Sequence, residues 1–200
     1  MTKSVDLWVD PACPWAWLTS RWLLEAATVR DLEVNFHVMS LAILNQDKEL
    51  SPEYQDWLER AYRPVRVLIA AELRHGPAVI EPLYGAMGRR RHVEGNRDFD
   101  DVTAGALSEV NLEADLAQAA ETTDYDEALR TSHFAGMNLV GNDVGTPVLK
   151  IDDVAIFGPI VTPAPKGEQA GQLFDGVVTV TSTPGFFELK RTRSEEPSFE

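Results

Sequence analysis

Two runs of alternating apolar and polar residues, Val5-Asp6-Leu7-Trp8-Val9 and residues 32–39, flank one stretch of helical periodicity, and this arrangement restricts the fold more than anything else in the chain. Alternation at a period of two marks half-buried strands, and in the second run Val34, Phe36 and Val38 share one face while Glu33, Asn35 and His37 share the other. Between the runs, Trp15, Leu18, Trp22 and Ala26 recur at the spacing of a helix face. A strand, a helix and a second adjacent strand close as a right-handed parallel βαβ unit, because a right-twisted strand feeding a helix packs back onto its sheet in that hand.

The corner between the first strand and the helix reads Asp10-Pro11-Ala12-Cys13-Pro14-Trp15-Ala16 and holds the only cysteine of 200 residues. Pro14 suits a first helical turn, which puts Cys13 at the helix N-terminus. Free amide groups and the positive end of the helix dipole favour a thiolate there, so the expectation is a Cys13 pKa below that of a free thiol. The thiolate is the form that attacks disulfides and electrophiles. The competing reading is a small buried hydrophobe without chemistry. Against it stands the Pro-Ala-Cys-Pro corner, which holds the side chain at the sheet end where ligands gather. Ala16 stands where a Cys-x-x-Cys motif carries its second thiol, so no disulfide can form within the chain.

From residue 51 to about 142 the pattern is helical throughout. Ser51 can cap and Pro52 can occupy the first turn. Pro64 is expected to kink or divide the helix carrying Trp57, Ala61, Val65 and Leu68, and Gly76-Pro77 to end its continuation. Further helices are expected over 78–92, 102–110, 112–121 and 125–140. Strands return in Pro147-Val148-Leu149-Lys150-Ile151 and Val154-Ala155-Ile156-Phe157, and the Asp152-Asp153 connection reads as a tight antiparallel hairpin. A last helix over 168–180 precedes Pro184-Gly185, residues 191–200 read as a polar tail, and its part from Ser194 to Glu200 is expected to fray.

A net charge of -14 disfavours nucleic acid and anionic membranes as partners. Met1-Thr2-Lys3-Ser4-Val5 shows neither an apolar signal core nor a cleavage site, and no apolar run is long enough to span a bilayer. The expected location is therefore cytoplasmic, where an unpaired thiol is normal.

The order β-α-β, helical stretch, β-β-α resembles a thioredoxin-like α/β fold with a large all-helical insertion. The matching text is Asp10-Pro-Ala-Cys-Pro-Trp, Phe36-His-Val-Met-Ser-Leu-Ala42 with Leu44-Asn45, Gly145-Thr146-Pro147, Phe157-Gly158-Pro159 and Pro184-Gly-Phe-Phe-Glu-Leu-Lys190. On these segments the chain is similar to the DsbA-like thioredoxin superfamily, and more closely to the mycothiol-dependent nitroreductase family. The resemblance implies a thioredoxin-like domain of residues 1–45 and 143–190, an insertion of residues 46–142, and a homodimer. It implies that Pro147, after Thr146, is cis and faces Cys13, with backbone free to pair with an extended thiol substrate.

The family motif resembles Cys-Pro-Trp-Cys, whereas this chain reads Cys13-Pro14-Trp15-Ala16. A monothiol can attack a mixed disulfide and join a small thiol, but a second small thiol must then release it. The implied function is a cytosolic monothiol oxidoreductase with Cys13 as nucleophile. Mycothiol or another low-molecular-weight thiol would be co-substrate, and a small-molecule or protein disulfide, or a small electrophile, the substrate. One alternative is a transferase or isomerase resembling the kappa-class glutathione transferases, in which a serine at this position holds a thiol cofactor's sulfur. Another is a non-catalytic thioredoxin-like binding module.

Secondary candidates follow. Trp15 offers a flat pocket wall, with packing as the plainer reading. Asn45, after the second strand, can bind a polar group or simply make a turn. Arg89-Arg90-Arg91-His92 can attract a carboxylate, or be a solvated helix end, and His92 can move a proton to a leaving thiolate. His37, His75 and His133 lack partners at metal-ligand spacing, so no metal is expected. The absence of a Gly-rich phosphate loop and of a dinucleotide fingerprint argues against flavin and nicotinamide. Tyr54 and Trp57 share a helix face, with Tyr62 farther round; all three read as packing, at the cleft between insertion and core.

Overall fold

The computed structural model describes residues 2–199, so the first residue of the expected thioredoxin-like unit and the last of the expected tail lie outside it. The chain begins with β1 (Lys3–Val9), α1 (Pro14–Ala27), β2 (Leu32–Val38) and a short α2 (Leu41–Asn45). Four longer helices follow: α3 (Pro52–His75), α4 (Ile80–Gly88), α5 (Phe99–Glu109) and α6 (Asp126–Val140). The hairpin β3 (Val148–Ile151) and β4 (Val154–Phe157) and a last helix α7 (Glu168–Thr181) complete the order.

The sheet runs β2-β1-β3-β4. β1 and β2 are parallel with Leu7 opposite Phe36, as the βαβ pattern requires, and β3 returns antiparallel with Val148 opposite Trp8. One face presents Val5, Leu7, Val9, Phe36 and Val38 to a continuous core that takes in α1, α3, α4 and α7. Trp22 ties α1 to α7 there: it is wholly buried, donates Nε1 to the Ala170 carbonyl at 3.1 Å, and lies 6.3 Å from the Phe174 ring. The other face presents Trp8, Met39 and Val148 to Met137 of α6. A Cβ at Gly136 would sit 2.7 Å from the Trp8 ring, so only glycine lets α6 approach this closely. Helices on both faces of a mixed sheet, with β-α-β before the helical stretch and β-β-α after it, make the thioredoxin-like fold.

The helical stretch departs from its sequence pattern in three places. α3 continues through Pro64 instead of dividing, because its buried residues, from Leu58 and Ala61 to Val65, Leu68 and Ala71, form one stripe across the proline and packing outweighs the lost backbone hydrogen bond. The expected 78–92 helix breaks into a 3-10 turn (Pro77–Val79), α4 and a π turn (Arg89–Val93), where Gly88 meets the Trp17 ring. Residues Ala114–Glu121 wind as 3-10 turns.

Candidate active site

Cys13 caps α1. Its backbone is extended (φ -89, ψ 111), Pro14 opens the helix, and Sγ accepts the Ala16 N–H at 3.4 Å. The corner closes on itself, with the Cys13 N–H donating to the Asp10 carbonyl at 3.0 Å. The depressed pKa expected from this geometry does not follow. Cys13 is only 4% exposed, and burial pushes its thiol up to about 12, against the lowering by the Ala16 and Trp15 amides and with a further rise from the Asp10 charge. The helix end acts on the sulfur as anticipated, but removing a thiolate from water costs more than two amides return.

Asp10, not singled out in the sequence as a site residue, lies at the centre of this corner. It is wholly buried, with Oδ1 accepting the Ala12 N–H and Oδ2 the Leu41 N–H, each at 2.7 Å, so one carboxyl joins the corner to the start of α2. Burial, opposed by those two amides, pushes it up to about 7. The available signal was a charged residue directly after the unbroken apolar run Leu7-Trp8-Val9 that ends the strand.

His92 stands behind the same loop, its Nε2–H donating to the Pro11 carbonyl at 2.9 Å and its ring 6.0 Å from Trp17. Burial pushes it down to about 4, so it is a neutral imidazole. The reading of residues 89–92 as a solvated helix end fails for His92, and the reading as one basic patch fails for its neighbours. Arg89 pairs with Glu94 and Glu109, Arg90 donates to Glu109 at 2.9 Å, and Arg91 turns away to lie 4.4 Å over the Phe99 ring.

The Thr146–Pro147 peptide is cis. Val148 lies opposite Trp8, so Thr146 and Pro147 lead into β3 at the end of the sheet where β1 runs on to the Cys13 corner. Thr146 Oγ1 is buried without a hydrogen-bond partner among the described residues. Asn45 is engaged in its own turn, donating to the Leu41 carbonyl at 2.7 Å and accepting from Lys48 at 3.1 Å. Trp15 is half-buried, with the Arg193 guanidinium 5.1 Å from its ring. The tail is therefore not frayed: Ser198 N–H donates to Thr162 Oγ1 at 2.8 Å, and Phe199 packs 5.4 Å from the His92 ring. Its apolar last described residue finds a place against the corner, which the polar composition before it concealed.

Among the described residues there is no group of three or more His, Cys, Asp or Glu side chains placed to hold a metal, and no helix long and apolar enough to cross a membrane. The family model described as "Rv2466c-like: Mycothiol-dependent nitroreductase Rv2466c" matches residues 12–191. The uncharacterized protein Rv2286c of Mycobacterium tuberculosis is 29% identical over 196 residues, spanning 96% of this chain and 83% of that protein. The solved structure described as "probable DsbA oxidoreductase SCO1869" from Streptomyces coelicolor is similar with a TM-score of 0.60 at 19% identity, over 97% of this chain and 95% of that one. The cytosolic disulfide reductase DsbM from Pseudomonas aeruginosa, solved with GSH, has a TM-score of 0.53 at 21% identity, over 88% of this chain and 99% of its own.

Proposed function

The chain belongs to the Rv2466c-like mycothiol-dependent nitroreductase family, a family of thiol-dependent oxidoreductases, and from that premise we propose that it is a monothiol oxidoreductase whose nucleophile is Cys13. The observation that carries this reading is a sole cysteine capping α1, with its sulfur on the amide of Ala16, the residue that replaces a second thiol. The Cys13 thiolate attacks a disulfide R–S–S–R′; the Cys13–S–S–R bond forms, the S–S bond of the substrate breaks, and R′–S⁻ leaves with the electron pair. A second low-molecular-weight thiolate then attacks the R sulfur and expels the Cys13 thiolate, since the chain has no thiol of its own to do so.

Two features support a small thiol as co-substrate. Thr146 Oγ1 is a buried polar atom without a hydrogen-bond partner among the described residues, on the segment that leads into β3 beside the end of β1, and is suited to an amide or hydroxyl of such a ligand. DsbM, of the same fold, was solved with GSH. Burial is the largest cause of the high Cys13 pKa, so admitting substrate and water to the corner lowers it.

The test is the intact mass of reduced protein after exposure to mycothiol disulfide, with glutathione disulfide and Cys13→Ser alongside. One adduct on Cys13, discharged by free mycothiol and absent from Cys13→Ser, is expected. No adduct from either disulfide, while the thiol alkylates readily, refutes the reading. A second reading is favoured by the protonated state of the buried thiol: Cys13 S–H donates to the sulfur of a bound thiolate, as a serine would. Thiol binding that weakens in Cys13→Ala, without any adduct in the wild type, would decide for it.

A further inference from the structure

The chain carries 32 acidic residues against 18 lysines and arginines, and six of its thirteen arginines are in ion pairs with carboxylates among the described residues. Arg30 pairs with Glu168 and Asp175, Arg66 with Asp126, Arg74 with Asp115, and Arg89 and Arg90 with Glu109. One cleft of about 830 Å³ is different. Arg60, Arg63, Arg91 and Arg97 line it, with Trp57 and Phe99 as its aromatic walls. Of these four, only Arg63 is in an ion pair among the described residues, with Asp100 and Glu121. Arg60 donates to the Asp56 carbonyl at 3.3 Å and Arg91 to the Asn96 carbonyl at 3.2 Å.

Two aspartates face the four arginines, and both are already engaged. Asp100 holds Arg63, while Asp98 caps α5 by accepting the N–H groups of Asp100 and Asp101 at 2.9 and 3.2 Å. Arg91 gives up its proton more readily than a free guanidinium, first because of burial and then because the Arg97 and Arg60 charges repel it. Mutual repulsion among guanidinium groups is relieved when an anion accepts hydrogen bonds from several of them at once. Trp57 and Phe99 pack in one cluster with Ala12, the residue before Cys13, so the cleft adjoins the catalytic corner.

We propose that the Arg60–Arg63–Arg91–Arg97 cleft binds the carboxylate or phosphate group of the substrate that meets Cys13, with the planar part of that substrate against Trp57 and Phe99. This deepens the oxidoreductase reading and rests on it for the link to Cys13, but the anion site itself stands on the arginines alone. It also separates the two ligands of the reaction: the small thiol at the Thr146 side of the corner, the anionic substrate at the α3 side.

Two measurements on the full chain test it. The first is calorimetric titration at low salt with pyrophosphate and with citrate, as phosphate and carboxylate probes. It compares wild type, Cys13→Ser, the double variant Arg60→Gln/Arg97→Gln, and a charge control, Lys48→Gln/Lys166→Gln. Arg97 is exposed and makes no hydrogen bond among the described residues, so Arg97→Gln alone serves as the second variant if the double variant unfolds. Binding at one site is expected, kept in Cys13→Ser and the lysine control, and weakened about tenfold or more in the arginine double variant. The second is the ratio of Cys13 alkylation rates by iodoacetate and its neutral counterpart iodoacetamide; it should fall several-fold in the arginine double variant and on adding pyrophosphate.

No binding of either probe, or equal loss in both double variants, overturns the cleft. Binding with an unchanged alkylation ratio overturns its link to Cys13. Failure of both reagents to alkylate Cys13 refutes the nucleophile reading instead, while the titration still decides the anion site.

Discussion

Replacing Asp10 by asparagine should invert the stability ranking of variant and wild type between acid and mild alkali. Burial raises the carboxyl from 3.8 to about 7 in the folded protein. Between those values the folded chain retains a proton that the unfolded chain has released. The stability contributed by protonated Asp10 is thus complete below pH 3.8, falls as pH rises toward 7, and levels off above. At about 1.4 kcal/mol per pH unit across that window, the loss sums to about 4 kcal/mol.

Asparagine abolishes this ionisation but has one carbonyl oxygen for two donors, so either the Ala12 or the Leu41 N–H is left facing an amide nitrogen, at about 1–3 kcal/mol. Asp10→Asn should therefore be less stable than wild type near pH 4.5 and more stable by about 1–3 kcal/mol near pH 8.5. Urea unfolding of both proteins across that range reads the difference. His92 and His133, pushed down to about 4 chiefly by burial, titrate in the opposite sense: the stability of their neutral forms is present above 6.5 and lost as pH falls through 4. They act in both proteins, so the difference curve isolates Asp10. A difference that does not vary with pH would refute the buried, proton-holding carboxyl. The same substitution removes a charge that raises Cys13, so iodoacetamide should label Asp10→Asn faster than wild type at pH 8.

Ending the chain after Lys190 removes Arg193, Ser198 and Phe199, and Cys13 alkylation at pH 7 should accelerate several-fold, the gain in solvent access outweighing the lost lowering by the Arg193 charge; an unchanged rate would show that the tail does not shield it. Gly88→Ala puts a Cβ 2.2 Å from the Trp17 ring and should cost about 1–3 kcal/mol in urea unfolding, whereas wild-type stability would mean that Trp17 yields freely. Trp22→Ala empties the contact between α1 and α7 and should cost about 3–5 kcal/mol, with a loss under 1 kcal/mol counting against that contact as a main support of the core.

What could be read from the sequence was what neighbours in sequence decide. The alternation in 5–9 and 32–39, the Asp152-Asp153 hairpin and the Pro14 start of α1 are local patterns, and each appears at its place. The state of Cys13 was not local. Its corner predicts a stabilised thiolate, but its burial depends on the surrounding fold, and the tail that carries Arg193 across Trp15 lies 180 residues further along the chain. Charge was misleading in the same way. The run Arg89-Arg90-Arg91 offered either a basic site or a solvated helix end, yet two of its members are paired with Glu94 and with Glu109 at the end of α5. The third joins Arg60, Arg63 and Arg97 from other segments, a grouping that only the packing of α3 beside the start of α5 creates.

The buried thiol and the absent second thiol bear on one another. In a dithiol protein a mixed disulfide is short-lived, because the neighbouring cysteine attacks it without diffusion. Here the residue at that position is Ala16, whose amide only holds the sulfur in place, so the lifetime of any adduct depends on how readily an outside thiol reaches the R sulfur. That approach passes a corner flanked by Trp15, with Arg193 over its ring, and by His92, with Phe199 against it. Arg193 and Phe199, standing against these two walls, should therefore slow release of the adduct. Shortening the tail should raise both rates together, mixed-disulfide formation and its discharge by free thiol, each followed by intact mass. A tail deletion that accelerates formation but leaves discharge unchanged would show that the second thiol enters by another route, from the Thr146 side of the sheet.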